Sequence, residues 1–397
     1  MTQNQRPGAL GRFRVIDLTQ VRAGPTCVKQ LADFGADVIR VEPPVGGPRV
    51  SVSTGDRDGA DMQNLHRNKR SLTLNLKNEE GIGVLHKLIR SADVVVENYR
   101  PDVKYRLGID YDSLAAINPR IVMASISGFG QDGPYRDRPG FDQIAQGMSG
   151  VMSVTGRPGE GPMRAGAAID DMAAGLYAAL GILTALLERE VSGRGQWVQS
   201  SLLHAGIALM DFQAARYLMG GEVPGQMGND HPTTMPQSAY PTADGHVNVA
   251  AAGQEMWGKL CKALERVDLI EHPDFAAPAS RSKNRVALNQ ELSGVFRTAT
   301  TAQWIEKLNA AGVPSGPILT VDQVWADPQV KHLGIAAPVR HHALGEIRVI
   351  RQAATLSRTP AELMHALPPI GANNAEILEA LGYTAEQIAA LRDGGVI

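Results

Sequence analysis

The first half of the chain alternates short apolar runs with segments of helical spacing. The apolar runs are rich in Val and Ile, as is typical of buried strands: Arg14–Leu18, Asp37–Glu42, Asp93–Glu97 and Arg120–Ile126. Helical spacing separates them over Thr26–Phe34 and Glu79–Ser91. Strands that alternate with helices predict a parallel sheet covered on both faces. The sequence therefore predicts an α/β fold with a doubly wound layer.

The glycine fingerprint of a dinucleotide site is missing after the first predicted strand. There the chain has Ala23-Gly24-Pro25 in place of G-x-G-x-x-G, so a Rossmann oxidoreductase is not favoured. Only two cysteines occur, Cys27 and Cys261, which gives neither a disulfide framework nor a metal-type spacing. We therefore expect no dinucleotide cofactor and no metal.

Charge and composition limit the kinds of binding partner and the cellular location that we expect. The formal net charge of −2 gives no reason to expect nucleic acid or an anionic membrane as a partner. The N-terminal sequence lacks an apolar core followed by a small-residue cleavage site, so no signal peptide is expected. These features predict a cytoplasmic enzyme.

An uncharged run, Met172–Leu187, follows two adjacent aspartates, Asp170 and Asp171. Small and apolar residues on every side predict a helix that is buried all round. Charged residues bracket the run closely, and a membrane span needs about 20 apolar residues. We therefore predict a core helix over 171–190.

The two aspartates support two interpretations. Unpaired N–H groups at the start of a helix favour an ionised carboxylate and can receive negative charge that develops on a carbonyl oxygen. A carboxylate held there could attack an activated acyl group. Asp is equally a good helix N-cap, worth about 1 kcal/mol without any chemistry. One aspartate could cap the helix while the other faces a pocket.

The second half predicts a smaller unit. Gly220–Tyr240 is rich in Gly, Pro, Thr and Asn, as is typical of a linker. Thr242–Ala251 combines an Asp-Gly turn with alternation, which predicts a hairpin. Helical patterns follow around Met256–Glu265 and Gln303–Ala311, so an α+β unit is expected.

The domain prediction follows from these changes in pattern. A large domain is predicted over 1–220, a small domain with its linkers over 221–330, and a return to the large domain over 331–397. The segment Gln196–Leu203 fits a strand or the start of a helix equally well.

Seven motifs occur in a fixed order: GADVIRVE, NKRSLTLNLK, ADVVVENYRP with LGIDY, NPRIVMASISGFGQDGPY, RPGFD, D-x-x-x-G and SGRGQ. In this order they resemble the class III CoA-transferase family, which includes formyl-CoA transferase, carnitine CoA-transferase and α-methylacyl-CoA racemase. The resemblance extends from Val15 to the C-terminal LGYTAEQIAAL. It implies a Rossmann-like large domain that carries CoA, a small domain, and a homodimer of two subunits interlocked as rings.

The resemblance also implies an activity, the transfer of CoA from an acyl-CoA thioester to a free carboxylic acid. The catalytic aspartate of the family lies in D-x-x-x-G. Asp171 fits this motif because Gly175 stands four residues later, whereas Ala174 stands four residues after Asp170. Such a reaction passes through an aspartyl anhydride and an aspartyl-CoA thioester. It exchanges acyl species of similar energy, so CoA is a substrate and no permanently bound cofactor is implied.

Binding residues are implied by the same resemblance. The residues that match the family's CoA-binding segments are Val21, Arg40, Lys77, Asn98, Tyr99, Lys104 and Arg106. Lys104 and Arg106 could equally be solvated surface charges. Arg49 is a further candidate, although Gly-Gly-Pro precedes it where the family often has an acidic residue.

Arg22 lies in TQVRAGP, the segment that faces substrate in formyl-CoA transferase, which has a neutral amide there. An arginine at this position could hold an acceptor carboxylate with two parallel hydrogen bonds. It could equally form a structural salt bridge, for example with Glu42. The first interpretation would favour succinyl-CoA as donor and another small or dicarboxylic acid as acceptor.

Phe141-Asp142 separates transferases from racemases. Racemases of the family carry His-Asp here, and the histidine is one of their two acid/base groups. This chain reads GFD, and a phenylalanine cannot exchange protons, so a 2-methylacyl-CoA racemase is the weaker alternative. Asp142 is expected to line the site near the acyl end of CoA. A non-catalytic CoA-binding protein is also weaker, because Asp171 and the phosphate-binding residues are present.

Overall fold

A six-stranded parallel sheet is the centre of the computed structural model, which describes residues 7–44 and 56–397. Its strands are β1 (Arg14–Asp17), β2 (Asp37–Glu42), β3 (Lys69–Thr73), β4 (Val94–Glu97), β5 (Val122–Ser127) and β6 (Trp197–Ser201). Their order across the sheet is β3-β2-β1-β4-β5-β6, and all neighbours run parallel. The predicted α/β fold is confirmed, and β3 is a strand that the sequence analysis did not identify.

Helices cover both faces of this sheet. Those between Ala23 and Gly220 are α1 (Ala23–Asp33), α2 (Ala60–His66), α3 (Glu79–Arg90), α4 (Pro101–Arg106), α5 (Tyr111–Ile117), α6 (Asp142–Met148), α7 (Val151–Val154), α8 (Ile169–Ser192), α9 (Leu202–Leu209) and α10 (Asp211–Gly220). Side chains alternate across each strand, so Val15 packs with α1, α8 and α9 while Ile16 packs with α3 on the opposite face. The ambiguous segment Gln196–Leu203 contains both β6 and the start of α9.

Only one side of α8 is buried, so the prediction of a helix buried all round is wrong. Ala174, Ala178 and Ile182 lie in the core, whereas Leu187 and Val191 are 70% and 91% exposed. Apolar residues on every side predict contacts on every side, but this chain covers only the face that packs on the sheet and α1. By length and composition alone, α8 could also cross a membrane.

The described chain divides into two compact units. The first contains the residues up to Val151, Arg164–Gly221 and Lys331–Ile397, and the second contains Met152–Met163 and Glu222–Val330. The sequence analysis left 152–163 in the large domain. No pattern in that short segment separates it from its neighbours.

The second unit has its own antiparallel sheet and core. Its strands are β7 (Gln237–Pro241), β8 (His246–Ala250) and β9 (Ser315–Pro317), and the predicted hairpin is the β7–β8 pair. Its helices are α11 (Gly253–Ala263), α12 (Pro278–Lys283), α13 (Arg285–Phe296), α14 (Thr301–Ala310) and α15 (Val321–Ala326), with a 3₁₀ turn at Val267–Leu269. Trp257, Leu292 and Phe296 are fully buried between them.

The C-terminal segment belongs to the first unit. After α16 (Pro328–His332) it forms the hairpin β10 (Ala336–His341) and β11 (Gly345–Ile350), then α17 (Asn374–Ala380) and α18 (Ala385–Asp393). Ile377 and Leu391 join the core on the Ile16 face of the parallel sheet. The last part of the chain therefore completes the first unit.

Candidate active site

The parallel sheet reverses its strand order between β1 and β4. In open α/β sheets, ligands bind outside the carboxyl ends of the strands at such a point. The loops that leave these two strands carry Val21, Arg22, Asn98 and Tyr99. The Asn98 side chain joins the loops, since its Oδ1 accepts from the Gln20 N–H at 2.8 Å and its Nδ2 donates to the Gln20 carbonyl at 2.7 Å. The structure therefore brings these four predicted residues to one edge.

Val21 has a strained backbone. Its φ of 60° lies in the left-handed region, which a β-branched residue rarely adopts. Strain of this kind persists where the surrounding structure requires it, and it clusters at functional sites. Arg22 follows directly and is the N-cap of α1. The strained backbone of Val21 therefore lies directly before α1 and fixes the position of Arg22 at its start.

Gly175 explains why α8 lies so close to α1. A Cβ at Gly175 would lie 2.5 Å from the Ala23 carbonyl oxygen and 2.9 Å from Thr26 Cβ, so only glycine permits this approach. Asp171 lies one turn earlier on α8 and is therefore carried to the start of α1, beside Arg22. The D-x-x-x-G spacing has a packing reason in this chain.

Neither aspartate caps α8, which corrects the predicted N-cap role. The N-cap is Ala168, and Asp142 at the start of α6 supplies the acceptor instead. Its Oδ1 accepts from the N–H groups of Asp170 at 3.0 Å and Asp171 at 3.2 Å. Its Oδ2 accepts from Gln146 Nε2 at 2.6 Å. Both oxygens of Asp142 thus have partners in the chain, while the predicted substrate contact stays a prediction.

The first turn of α8 has no free N–H group for an oxyanion. Besides the two that Asp142 accepts, the Ile169 N–H donates to the Ala167 carbonyl and the Met172 N–H donates to the Ala168 carbonyl. The sequence argument that these donors receive developing negative charge is therefore wrong for this structure.

The two aspartates differ in accessibility. Asp170 is 0% exposed, with Oδ2 3.3 Å from Ser149 Oγ and Oδ1 without a hydrogen-bond partner among the described residues. A Cβ on Gly206 would lie 2.7 Å from Asp170 Cγ, so that glycine makes room for the buried carboxyl group. Asp171 is partly exposed. A nucleophile must meet its substrate, which favours Asp171.

Both carboxyl groups have a pKa above that of an ordinary aspartate. Burial raises the pKa of Asp171 to about 7, Asp142 and Asp170 add to the rise, and the Arg22 guanidinium opposes it. Burial also raises the pKa of Asp170 to about 6; the Ser149 hydrogen bond opposes this rise and Asp142 adds to it. The sequence argument counted the helix N-terminus but not burial or the neighbouring acids. A pKa near neutrality beside an accessible edge is typical of a catalytic group.

Arg22 forms an ion pair with Asp61 in the first turn of α2. Its Nη2 lies 2.6 Å from Asp61 Oδ2. The suggested partner Glu42 instead accepts from Arg40 Nε at 3.0 Å and from Arg57 at 2.9 Å, so that suggestion is wrong. Nothing in the sequence marks Asp61, because α2 and the loop to α1 are distant along the chain.

The predicted CoA-binding cations fall into two groups. Arg40 and Lys104 are buried; Arg40 also contacts His66 Nδ1 at 2.7 Å, and Lys104 donates to Gln131 Oε1 and to the Pro101 carbonyl. Lys104 is therefore not a solvated surface charge. The exposed group consists of Lys77 and Arg106.

The exposed group lies where a ligand can reach it. Lys77 follows β3 at the carboxyl edge, and Arg106 pairs with Asp102 at 3.1 Å. The Tyr99 ring packs partly against the core on the Ile16 face. Arg49 lies outside the described residues. The contact of each of these residues with CoA stays a prediction.

Among residues 7–44 and 56–397, Asp58, His341 and His342 form a group that could hold a metal ion. His341 Nδ1 accepts from the N–H groups of Ala343 at 3.1 Å and Leu344 at 3.0 Å. The ring proton of neutral His341 therefore lies on Nε2, 3.3 Å from Asp58 Oδ1. A metal-bound histidine normally donates through its second nitrogen, which His341 cannot do here. The contact is better explained as an anchor of the β10–β11 turn.

Fold and site together define a doubly wound α/β protein with an accessible, partly buried carboxylate beside the switch point of its sheet. The sequence model of CoA-transferase family III matches residues 10–374. The chain belongs to this family and is a CoA-transferase.

Named relatives agree with this assignment. Succinate–glutarate CoA-transferase of Agrobacterium fabrum is 36% identical over 95% of this chain and 96% of its own length. Succinyl-CoA–D-citramalate CoA-transferase of Chloroflexus aurantiacus is 35% identical over the whole of both chains. A crystal structure of a CAIB/BAIF family protein from Brucella suis has a TM-score of 0.82 and 34% identity, covering 94% of this chain and 100% of that one.

Proposed function

We propose that Asp171 is the nucleophile that transfers CoA from an acyl-CoA thioester to a free carboxylic acid. The observation that carries this is its setting at the start of α8. Asp171 is partly exposed, its pKa lies at about 7, and Gly175 fixes it beside Arg22. Asp170 also carries a carboxyl group, but Ser149 and Gly206 close it off from a substrate. An ionised Asp171 is both reachable and basic enough to attack a carbonyl carbon.

The reaction would proceed in four exchanges at carbonyl carbons. An Asp171 oxygen attacks the thioester carbonyl and displaces the CoA thiolate. The product is a mixed anhydride of Asp171 and the donor acid. The thiolate then attacks the aspartyl carbonyl, which releases the donor carboxylate and leaves an aspartyl-CoA thioester. The acceptor carboxylate attacks this thioester and displaces the thiolate, giving a second anhydride. Finally the thiolate attacks the acceptor carbonyl, which releases the new CoA ester and restores Asp171.

The acceptor in this proposal is a small dicarboxylic acid, and the donor is succinyl-CoA. The two relatives above carry succinate or succinyl-CoA in their names together with glutarate or citramalate. Arg22 places a guanidinium near the proposed nucleophile, where its charge lowers the pKa of Asp171 against the effect of burial. A guanidinium is the side chain best suited to hold a second carboxylate.

We further propose a homodimer. The first unit exposes large apolar residues on α8 and on α10: Leu180 (60%), Leu187 (70%), Val191 (91%), Leu218 (81%) and Met219 (89%). Exposed apolar surface of this extent usually marks an interface. A second copy that covers it, interlocked as the family resemblance implies, would give α8 the all-round burial expected from its sequence. Light scattering on the purified chain should give twice the mass of 42.4 kDa.

Mass spectrometry of a mixed incubation in D₂O tests the activity. It contains acetyl-, succinyl- and 2-methylacyl-CoA with a panel of free mono- and dicarboxylic acids. New CoA esters without deuterium at the α-carbon are expected. Deuterium at the α-carbon without acyl exchange would instead show a racemase, despite the exposed Phe141 at the start of α6. CoA binding without either product would support a non-catalytic CoA-binding protein.

A further inference from the structure

The Arg22 guanidinium is only partly used within the chain. It carries five N–H donors, and Asp61 takes one of them through a single contact between Nη2 and Oδ2. No other hydrogen bond or ion pair of this side chain occurs among residues 7–44 and 56–397. The side chain is 35% exposed. Most of the guanidinium therefore remains available to another acceptor.

The Arg22–Asp61 pair is of a kind that exchanges easily. The two side chains are 35% and 59% exposed, and ion pairs with this exposure contribute little to stability. The nearby Arg67–Asp33 pair is the opposite case, with two hydrogen bonds at 3.1 and 2.7 Å and both side chains buried. Breaking the second pair would leave buried charges, whereas breaking the first would return Asp61 to water.

The position of the pair matches the chemistry proposed for Asp171. Arg22 is the N-cap of α1, and Gly175 holds α8 against that helix, so Arg22 and Asp171 lie at the same edge of the sheet. A dicarboxylic acid with one carboxylate at Asp171 would bring its other carboxylate near a guanidinium that already holds one. Donors remain for a second carboxylate, but two negative charges on one guanidinium repel each other, so the distal carboxylate and Asp61 compete for Arg22.

We infer that Asp61 is an internal stand-in for the second carboxylate of the substrate. This inference rests on the proposed function. On binding, the distal carboxylate of a dicarboxylic acid replaces Asp61 on Arg22, and Asp61 turns to solvent. Arg22 stays paired throughout, and no covalent bond is made or broken in the exchange. A monocarboxylic acid leaves the Arg22–Asp61 pair intact and gains nothing from Arg22. Asp61 therefore acts on specificity through Arg22.

The test compares two acceptors of equal chain length, glutarate and pentanoate, with succinyl-CoA held saturating. Asp61→Asn removes the competing charge and keeps the side-chain volume. It should lower the KM for glutarate by about two- to fivefold and leave the KM for pentanoate unchanged. Arg22→Gln should raise the ratio of the KM for glutarate to the KM for pentanoate by about 30-fold or more, a ratio in which any effect on Asp171 common to both acceptors cancels. Glu255→Gln, which breaks the exposed Lys259–Glu255 pair in the second unit, is the matched control.

The sign of the Asp61→Asn effect decides the question. If Asp61 only orients Arg22, its removal raises the KM for glutarate, and the inference is wrong. Equal changes for glutarate and pentanoate also overturn it, as does a wild-type enzyme that uses only monocarboxylic acids. Thermal melting of each variant shows that the fold is retained. Failure of the proposed function gives a different result, namely no CoA ester with any acid in the D₂O incubation.

Discussion

Buried carboxylates at two places in the first unit behave in opposite ways. Burial acts to raise the pKa of Asp17 at the end of β1, but Lys69 and Arg40 outweigh it and lower the pKa. In the same network, Arg40 and Arg57 outweigh burial and lower the pKa of Glu42 to about 2. At the start of α8, burial prevails and raises the pKa of Asp170 to about 6 and that of Asp171 to about 7.

The difference lies in the cations. Asp17 Oδ2 accepts from Lys69 Nζ at 2.8 Å within a fully buried pair. The carboxylates of α8 have another carboxylate, Asp142, as their neighbour. The rise in pKa is opposed at Asp170 by the Ser149 hydrogen bond and at Asp171 by the partly exposed Arg22. Where the neighbouring cations outweigh burial, as at Asp17 and Glu42, the acid stays charged and its ion pair with a cation helps to hold the fold together. A buried acid without one can change its protonation near neutral pH, which suits it to chemistry.

The largest expected effect separates the two aspartates of α8. Asp171→Ala should reduce CoA transfer by about 10⁴-fold or more, because the covalent route is lost. Asp171→Asn should do the same with a side chain of equal size. Binding of CoA, measured by calorimetry, should survive in both.

Asp170→Asn is the matched variant, and it should retain transfer because Asp170 is closed off from substrate. Turnover retained by Asp171→Ala but lost in Asp170→Asn would move the nucleophile to Asp170. Turnover retained by both variants would remove the aspartyl mechanism.

The second prediction concerns the paired network. Lys69→Met should lower the free energy of unfolding by about 3–5 kcal/mol, because Asp17 is left as a buried charge without its partner. Urea denaturation at pH 7 measures this loss. Asp17→Asn combined with Lys69→Met should recover part of it, because no charge then remains unpaired. A loss below about 1 kcal/mol for Lys69→Met would contradict a structural role for the pair.

The comparison of the two places also shows which parts of the fold can be predicted from the sequence. The Val- and Ile-rich runs became β1, β2, β4 and β5, because strands buried on both faces need continuous apolar residues. β3 was missed because it begins Lys69-Arg70, whose charges are neutralised by Asp17 on β1 and Asp37 on β2. Such pairing depends on contacts between residues distant in sequence, and no local pattern contains it.

In the candidate active site, too, local motifs were predicted from the sequence, whereas contacts between distant residues were not. Family resemblance pointed to Asp171, and the packing role of Gly175 explains the spacing. The cap from Asp142, the partner Asp61 and the enclosure of Asp170 by Ser149 and Gly206 could not be predicted, since each comes from another helix. The exposed side of α8 was missed for a different reason. Apolar residues show that a face will be covered, but not whether this chain covers it.

The third prediction probes the packing that keeps Asp170 buried. Gly206→Ala would place a methyl group 2.7 Å from Asp170 Cγ and Ser149 Cβ, so one of them must move. The free energy of unfolding should fall by about 1–3 kcal/mol. Gly83→Ala is the matched control, because a Cβ there meets no atom within 4 Å in a helix. It should stabilise the protein by up to about 1 kcal/mol. Equal effects in urea denaturation would contradict the close packing around Asp170.

The fourth prediction is the dependence of stability on pH, which has opposite signs at the two places. Glu42 has a lowered pKa, so its contribution is present above 4.5 and is lost as the pH falls towards about 2. Asp170 has a raised pKa, so its contribution is present below 3.8 and is lost as the pH rises through about 6. Asp170→Asn should therefore reduce the fall in unfolding free energy between pH 4 and pH 7 to the part that Asp171 causes, without changing the loss at lower pH. An unchanged profile between pH 4 and pH 7 would show that Asp170 does not bind its proton tightly.

The smallest expected effect is the pH dependence of kcat/KM. It is also the most specific, because it reports the protonation of Asp171 in the active enzyme. The nucleophile must be ionised, so kcat/KM should rise about fivefold from pH 6 to pH 7 and level off above pH 8. The charged groups that act on Asp171 are Asp142, Asp170 and Arg22. Asp170→Asn removes a negative charge and should move the rise to lower pH, whereas Arg22→Gln removes the opposing cation and should move it to higher pH. Shifts in the same direction for both variants would show that the profile reports another group. Opposite shifts would show that an acid held without a buried cation sets the working pH of this site.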